Sequence, residues 1–258
     1  MAFCESSCKL DDTALFQIMD TVPMTDDNNI IPFHPRPQAG NTPPKRSPPP
    51  MFNIPPATKY LAGSLILTHI VIAVLSLTLL PQATNIAAVF AGFIPAQWTG
   101  NAPFFWWTPV SLIAFSFLHN GWLHLLVNTL MLVAMGSGLE KSVGVRHYIL
   151  IYLGSTLFAI LFHLAFYPAS TEPVIGASGG VSGIFGAMLF LMYDGGAGAA
   201  KGHYNPALIR VVLVWVGLSV VLGLMGGPSG EPVAWVAHVG GFLAGIGIIK
   251  MLSDRQMK

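Results

Sequence analysis

The sequence predicts an all-α membrane protein of six transmembrane helices, with a long, apolar, interfacial outer loop after the first. Three observations carry that expectation. Of 258 residues, 53% are hydrophobic and only 9% charged, whereas roughly a quarter of residues in soluble domains carry charge. Eleven of the 23 Asp, Glu, Lys and Arg residues fall in positions 1–59, and none lies between Tyr60 and Leu139. That uncharged run is several times the roughly 20 apolar residues that span a bilayer. The Lys and Arg residues of the remainder recur on alternate loops only, as the positive-inside rule requires of short flanking loops.

The first segment, residues 1–57, reads as a disordered Pro-rich tail, because ten of the twenty prolines lie between Pro32 and Pro56. Such a stretch buries too little apolar surface to offset its ordering entropy. The run from Pro43 to Pro50, Pro-Pro-Lys-Arg-Ser-Pro-Pro-Pro, suits an extended spacer better than a polyproline ligand. No secretory signal or mitochondrial presequence is expected in this polar, acidic start. Cys4 and Cys8 are the only cysteines. Placed in the cytoplasm they stay reduced, and without nearby histidines they make a poor zinc site.

Six spans follow, over about 60–80, 118–139, 148–167, 176–192, 207–225 and 233–252, within a membrane domain of residues 58–253 and before a short C-terminus of 254–258. Pro81, Glu140 to Arg146, Pro168 to Pro173, Asp194 to Pro206 and Gly226 to Pro232 anchor the loops. Lys45, Arg46 and Lys59 precede the first span; Lys141 and Arg146, then Lys201 and Arg210, then Lys250, Arg255 and Lys258 follow on the same side. Both termini are thus expected in the cytoplasm of a multi-pass protein, in a bacterial inner membrane or a plasma membrane. The outer loop, about 81–117, contains Ile-Ala-Ala-Val-Phe-Ala-Gly-Phe-Ile-Pro from Ile86 and Phe-Phe-Trp-Trp from Phe104. That composition suits the headgroup boundary, and a further crossing there would invert every basic loop. A net charge of +1 offers no basic face to nucleic acid. The composition also excludes a secreted domain and a disulfide scaffold.

Polar and ionisable groups inside spans are costly and tend to mark function. The candidates are His69, His119, His124, Asn128, His163, Ser178, Ser182 and His238. His69 and His163 read as structural. The second, fourth and sixth spans enter from the outer side. At about 1.5 Å rise per residue, Ser178 lies about 3 Å into its span, His238 about 8 Å, and His124 and Asn128 about 9–15 Å. The fourth span, about 26 Å long, falls short of the roughly 30 Å hydrocarbon core, which would sink Ser178 to the floor of an outward-facing cavity. His124 and Asn128, four apart, share a helix face. Gly176, Gly179, Gly180, Gly183 and Gly186 in the fourth span, and Gly240, Gly241, Gly245 and Gly247 in the sixth, would let these helices approach closely. From chemistry alone, a bystander Ser and His in Gly-rich packing stands level with a catalytic pair.

The stretch from Val174 to Phe190, Val-Ile-Gly-Ala-Ser-Gly-Gly-Val-Ser-Gly-Ile-Phe-Gly-Ala-Met-Leu-Phe, resembles the Gly-x-Ser-Gly segment of the rhomboid intramembrane serine proteases. Ala237 to Gly245, Ala-His-Val-Gly-Gly-Phe-Leu-Ala-Gly, is similar to that family's histidine helix. Phe117 to Glu140, with His119, His124, Asn128, Gly136 and Glu140, follows the pattern of its second helix. The three motifs stand in the family's order over residues 60–252. The resemblance implies that Ser178 is the nucleophile and His238 the general base of a Ser-His dyad, with Asn128 and His124 stabilising the oxyanion. A neutral imidazole takes the hydroxyl proton near pH 7, and the amide, the ring and the Ser178 N–H supply donors for the oxyanion. It implies an endopeptidase that cleaves transmembrane segments of other membrane proteins near their outer end, with no metal or cofactor. Unstable, Gly-containing substrate helices would unwind most readily. The alternative, from another class, is a catalytically inactive rhomboid-like adaptor that binds membrane helices.

Ser182 is a rival nucleophile, since Gly180-Val181-Ser182-Gly183 also reads Gly-x-Ser-Gly. One turn and about 6 Å deeper, it is farther from water and less well aligned with His238. Two positions depart from the family. Trp107 is followed by Thr108 where members often carry Arg, and Ser182 stands where some place an aromatic ring against the histidine. Both bear on loop anchoring and on the base rather than on bond breaking.

Overall fold

A computed structural model describes residues 53–194, 206–225 and 234–256. Most of the Pro-rich tail, the 195–205 and 226–233 segments and the last two residues lie outside them, and the expectations for those stretches with them. Helix α1 spans Pro56–Thr78 and begins with proline, whose missing N–H costs nothing in a first helical turn. Its first turn is closed from elsewhere in the chain. The Glu140 carboxylate accepts the Ala57 N–H at 2.9 Å, the Thr58 N–H at 2.7 Å and the Thr58 hydroxyl at 2.7 Å. Glu140 is 3% exposed, so these bonds satisfy a buried acid and the orphan donors of a helix end together. Thr58, Ala62, Leu65 and His69 form the buried stripe of α1. Its other faces present Leu67, Val71, Val74 and Leu77 outward, as a surface bathed in lipid does.

Between α1 and the next long helix, the expected outer loop contains only short elements. They are α2 (Ala83–Ala91), α3 (Pro95–Trp98), α4 (Ser111–Ala114) and two 3-10 turns, Thr108–Val110 and Phe115–Phe117. Backbone ties hold this segment to the chain just before Ser178. Phe93 and Val174 form an antiparallel bridge, with N–H to O distances of 3.0 and 2.8 Å, and the Ala96 N–H bonds Ser170 O at 2.9 Å.

The second and third expected spans are two helical limbs that meet at Gly144, whose φ 77° and ψ 164° are non-helical; together they make up α5 (Trp122–Phe166). The expected Glu140–Arg146 loop therefore shrinks to one glycine, because only a residue without Cβ takes that backbone conformation cheaply. The helix also starts four residues later than the expected 118, leaving His119 in the turn before it. Helices α6 (Ser178–Asp194), α7 (Pro206–Met225) and α8 (Trp235–Gln256) complete the described fold. Three stretches are long and apolar enough to cross a membrane, namely Pro56–Thr78, Trp122–Phe166 and Trp235–Asp254, counted among the described residues.

Helix α6 packs against both α5 and α8. Leu132 and Leu139 of the first limb of α5 meet Tyr148, Ile151 and Tyr152 of the second and Ile184 of α6 in the core. The α6–α8 seam is made by backbone. A Cβ on Gly241 would strike the Gly179 carbonyl, and one on Gly245 the Gly183 carbonyl. The expected glycine seam is corrected at four positions. Gly176 precedes α6 rather than lining it, Gly180 faces Tyr152 and Thr156 of α5, Gly240 faces Phe162 of α5, and the space around Gly247 is open.

Two stability effects follow. Glu140→Gln puts an amide among donors and should lower unfolding stability by about 1–3 kcal/mol, read by thermal unfolding in detergent. Gly245→Ala should cost about 1–3 kcal/mol by overpacking. Gly63→Ala on α1, with nothing within 4 Å, should be neutral or stabilising in the same measurement.

Candidate active site

Ser178 is the first residue of α6 and His238 the fourth of α8. The close α6–α8 approach at Gly179 and Gly241 brings their side chains together, with His238 Nε2 and Ser178 Oγ 2.7 Å apart. With a neutral imidazole, the hydroxyl donates and Nε2 accepts. Ser178 thus lies at the helix start, not the expected 3 Å inside, where the N–H groups of a first turn have no helical partner and carry partial positive charge.

The backbone leading into α6 is held in an unusual shape. Gly176 has φ 122°, a region closed to most L-residues, and its N–H bonds Phe115 O at 2.9 Å. A Cβ there would stand 2.9 Å from both Cε1 and Nε2 of His124 and 3.7 Å from Ser178 Oγ. The missing side chain is what lets the His124 ring approach the hydroxyl. The Asn120 N–H reaches His124 Nδ1 at 3.4 Å. A ring that accepts at Nδ1 carries its proton on Nε2, the nitrogen facing Gly176.

Asn128 is buried, one turn further along α5, and its Nδ2 donates to His124 O at 3.0 Å. One amide hydrogen is thereby used within the helix and the second is free for another acceptor. Ser182 is buried on the next turn of α6; the hydroxyl in hydrogen-bond contact with His238 is that of Ser178. His69 packs edge-on against Trp122 at 4.6 Å and His163 lies against Tyr167 at 4.9 Å. Among the described residues no carboxylate hydrogen-bonds His238, and no group of three or more His, Cys, Asp or Glu is placed to hold a metal ion. Two contributors escaped sequence reasoning: Phe115, acting through its carbonyl, and Gly176, which read as a packing glycine.

Fold and site together define a multi-pass integral membrane protein, a helical bundle that carries a hydroxyl and an imidazole in hydrogen-bond contact. The chain belongs to the rhomboid family, whose domain model matches residues 104–255. It is 30% identical over 134 residues to the Rhomboid-type serine protease 2 of Emericella nidulans, covering 51% of this chain and 24% of that protein. It is 26% identical over 140 residues to the Rhomboid protease GluP of Bacillus subtilis, covering 54% and 25%. With RHOMBOID-like protein 5 of Arabidopsis thaliana it shares 30% identity over 149 residues, covering 55% and 44%. The chain thus spans less than half the length of each of these relatives.

Gly176→Ala should cost about 1–3 kcal/mol through the forced backbone conformation alone, and more through the clash with His124. Thermal unfolding of the variant beside the parent measures it.

Proposed function

We propose that this chain is an intramembrane serine endopeptidase that cleaves transmembrane segments of membrane proteins near their outer end. The observation that carries the reading is the 2.7 Å contact between Ser178 Oγ and His238 Nε2 on a bundle of this family. Six crossings are counted as α1, the two limbs of α5 on either side of Gly144, α6, α7 and α8. The basic loops put both termini in the cytoplasm and the Ser178 end of α6 toward the outside. The short helices and aromatic rings of the 81–117 segment lie in the outer interface, where Trp and Phe are well accommodated.

The chemistry follows from the groups present. Ser178 Oγ attacks the scissile carbonyl carbon as its proton passes to His238 Nε2. The carbonyl oxygen becomes an oxyanion, met by His124 Nε2–H, the free amide hydrogen of Asn128 and the Ser178 N–H. The C–N bond then breaks, His238 returns the proton to the departing amine, and the C-terminal fragment leaves an ester on Ser178. Water enters from the outer side and loses a proton to His238 as it attacks the ester. Collapse frees the new carboxyl terminus and regenerates the serine. In a substrate helix the carbonyl is occupied by a backbone hydrogen bond, so segments that contain Gly, which unwind at lower cost, are the preferred substrates.

Labelling with a serine-reactive fluorophosphonate tests the reading. Ser178→Ala and His238→Ala should abolish labelling, and Ser182→Ala should retain most of it. A parent protein that is folded in lipid yet unlabelled would identify a helix-binding adaptor, and labelling that survives in Ser178→Ala would overturn the nucleophile.

A further inference from the structure

His119 stands in the turn between the Phe115–Phe117 3-10 segment and α5. It is 3% exposed, and neither ring nitrogen has a hydrogen-bond partner among the described residues. Burying an imidazole with both nitrogens bare is unfavourable. What this side chain does supply is a flat ring against another. Its centroid lies 5.1 Å from that of His124, with the planes at 70°, the edge-to-face geometry that aromatic pairs prefer.

His124 needs such a neighbour. Among the described residues its one ring hydrogen bond, from Asn120 N, is long at 3.4 Å, and a single weak bond at Nδ1 holds the ring loosely against rotation about Cβ–Cγ. Its other side faces Gly176, where no Cβ restrains it. Of these neighbours, His119 is the one ring that meets it edge to face. We infer that His119 is a positioning residue, whose ring holds His124 so that Nε2–H points at the oxyanion formed on Ser178. The inference rests on the protease reading above. His119 touches no reacting atom and acts through the orientation of His124. The shared turn supports it. Gly121, at φ 85°, folds the chain between the two histidines, so that residues five apart meet although one lies outside the helix.

The test uses the full-length protein and a fluorescent alkyl fluorophosphonate, whose phosphoryl oxygen occupies the oxyanion position in the adduct. The rate of covalent capture, kinact, and the reversible binding constant, KI, are measured for the parent, His119→Leu, His119→Phe, His124→Ala and His119→Leu with His124→Ala. His119→Leu should lower kinact about tenfold, short of the roughly hundredfold cost of losing an oxyanion donor outright, with KI unchanged. His119→Phe keeps the ring and should restore kinact to within about threefold of the parent. In the double variant the leucine should cost nothing further, because the residue it positions is gone. Thermal unfolding identifies a variant that fails to fold; if His119→Leu does, His119→Met replaces it. A parental kinact in His119→Leu, a Phe variant as slow as the Leu one, or effects that multiply in the double variant would each overturn the inference. An unlabelled parent instead defeats the protease reading.

Discussion

The close approach of two backbones, α6 on α8, is the constraint on which the site depends. Lipid tails are as apolar as leucine, so helices in a bilayer associate through packing and polar contacts rather than through exclusion of water. Gly241 against the Gly179 carbonyl and Gly245 against the Gly183 carbonyl bring the helix axes near enough for a serine, the shortest of hydroxyl side chains, to reach an imidazole on the neighbouring helix. Larger residues at the seam would separate Ser178 from His238 however well each was oriented on its own helix.

Two kinds of polar contact coexist in the bundle. Ser64, Thr78, Ser142 and Thr156 each donate to a carbonyl three or four residues earlier, which satisfies the hydroxyl locally and commits no other element. Glu140 and the Ser178–His238 pair bond across elements instead. The Glu140 carboxylate fixes the start of α1 at one side of the bundle. The second contact joins two helix starts at the candidate site. Where unsatisfied polar groups are costly, such cross-bundle bonds select one arrangement of helices over near alternatives.

Apolar run lengths made the helices legible in the sequence, while Ser178, His238, His124 and Asn128 stood out as candidates through three motifs that resemble a known family, since their spacing alone left a bystander reading level with a catalytic one. Positions governed by backbone dihedrals were not. Nothing in composition distinguishes Gly144, which breaks α5, from Gly138, which lies within it. Gly176 read as part of a packing stripe because its positive φ leaves no trace in residue type. His119 was placed inside a helix, since the apolar pattern continues through the turn that Gly121 creates. The bridge between Phe93 and Val174 joins backbones whose side chains carry no pairing signal.

The glycine seam and the cross-bundle bonds share a property that matters while the protein is being made. Ser178 and His238 are 60 positions apart, and Ala57 and Glu140 are 83. Helices enter the membrane in order from the N-terminus, and α8 follows the other described helices. Under the proposed protease reading, the Ser178–His238 pair cannot form until α8 has emerged and docked against α6, so a chain stalled before that point would lack its general base and stay inert toward its neighbours.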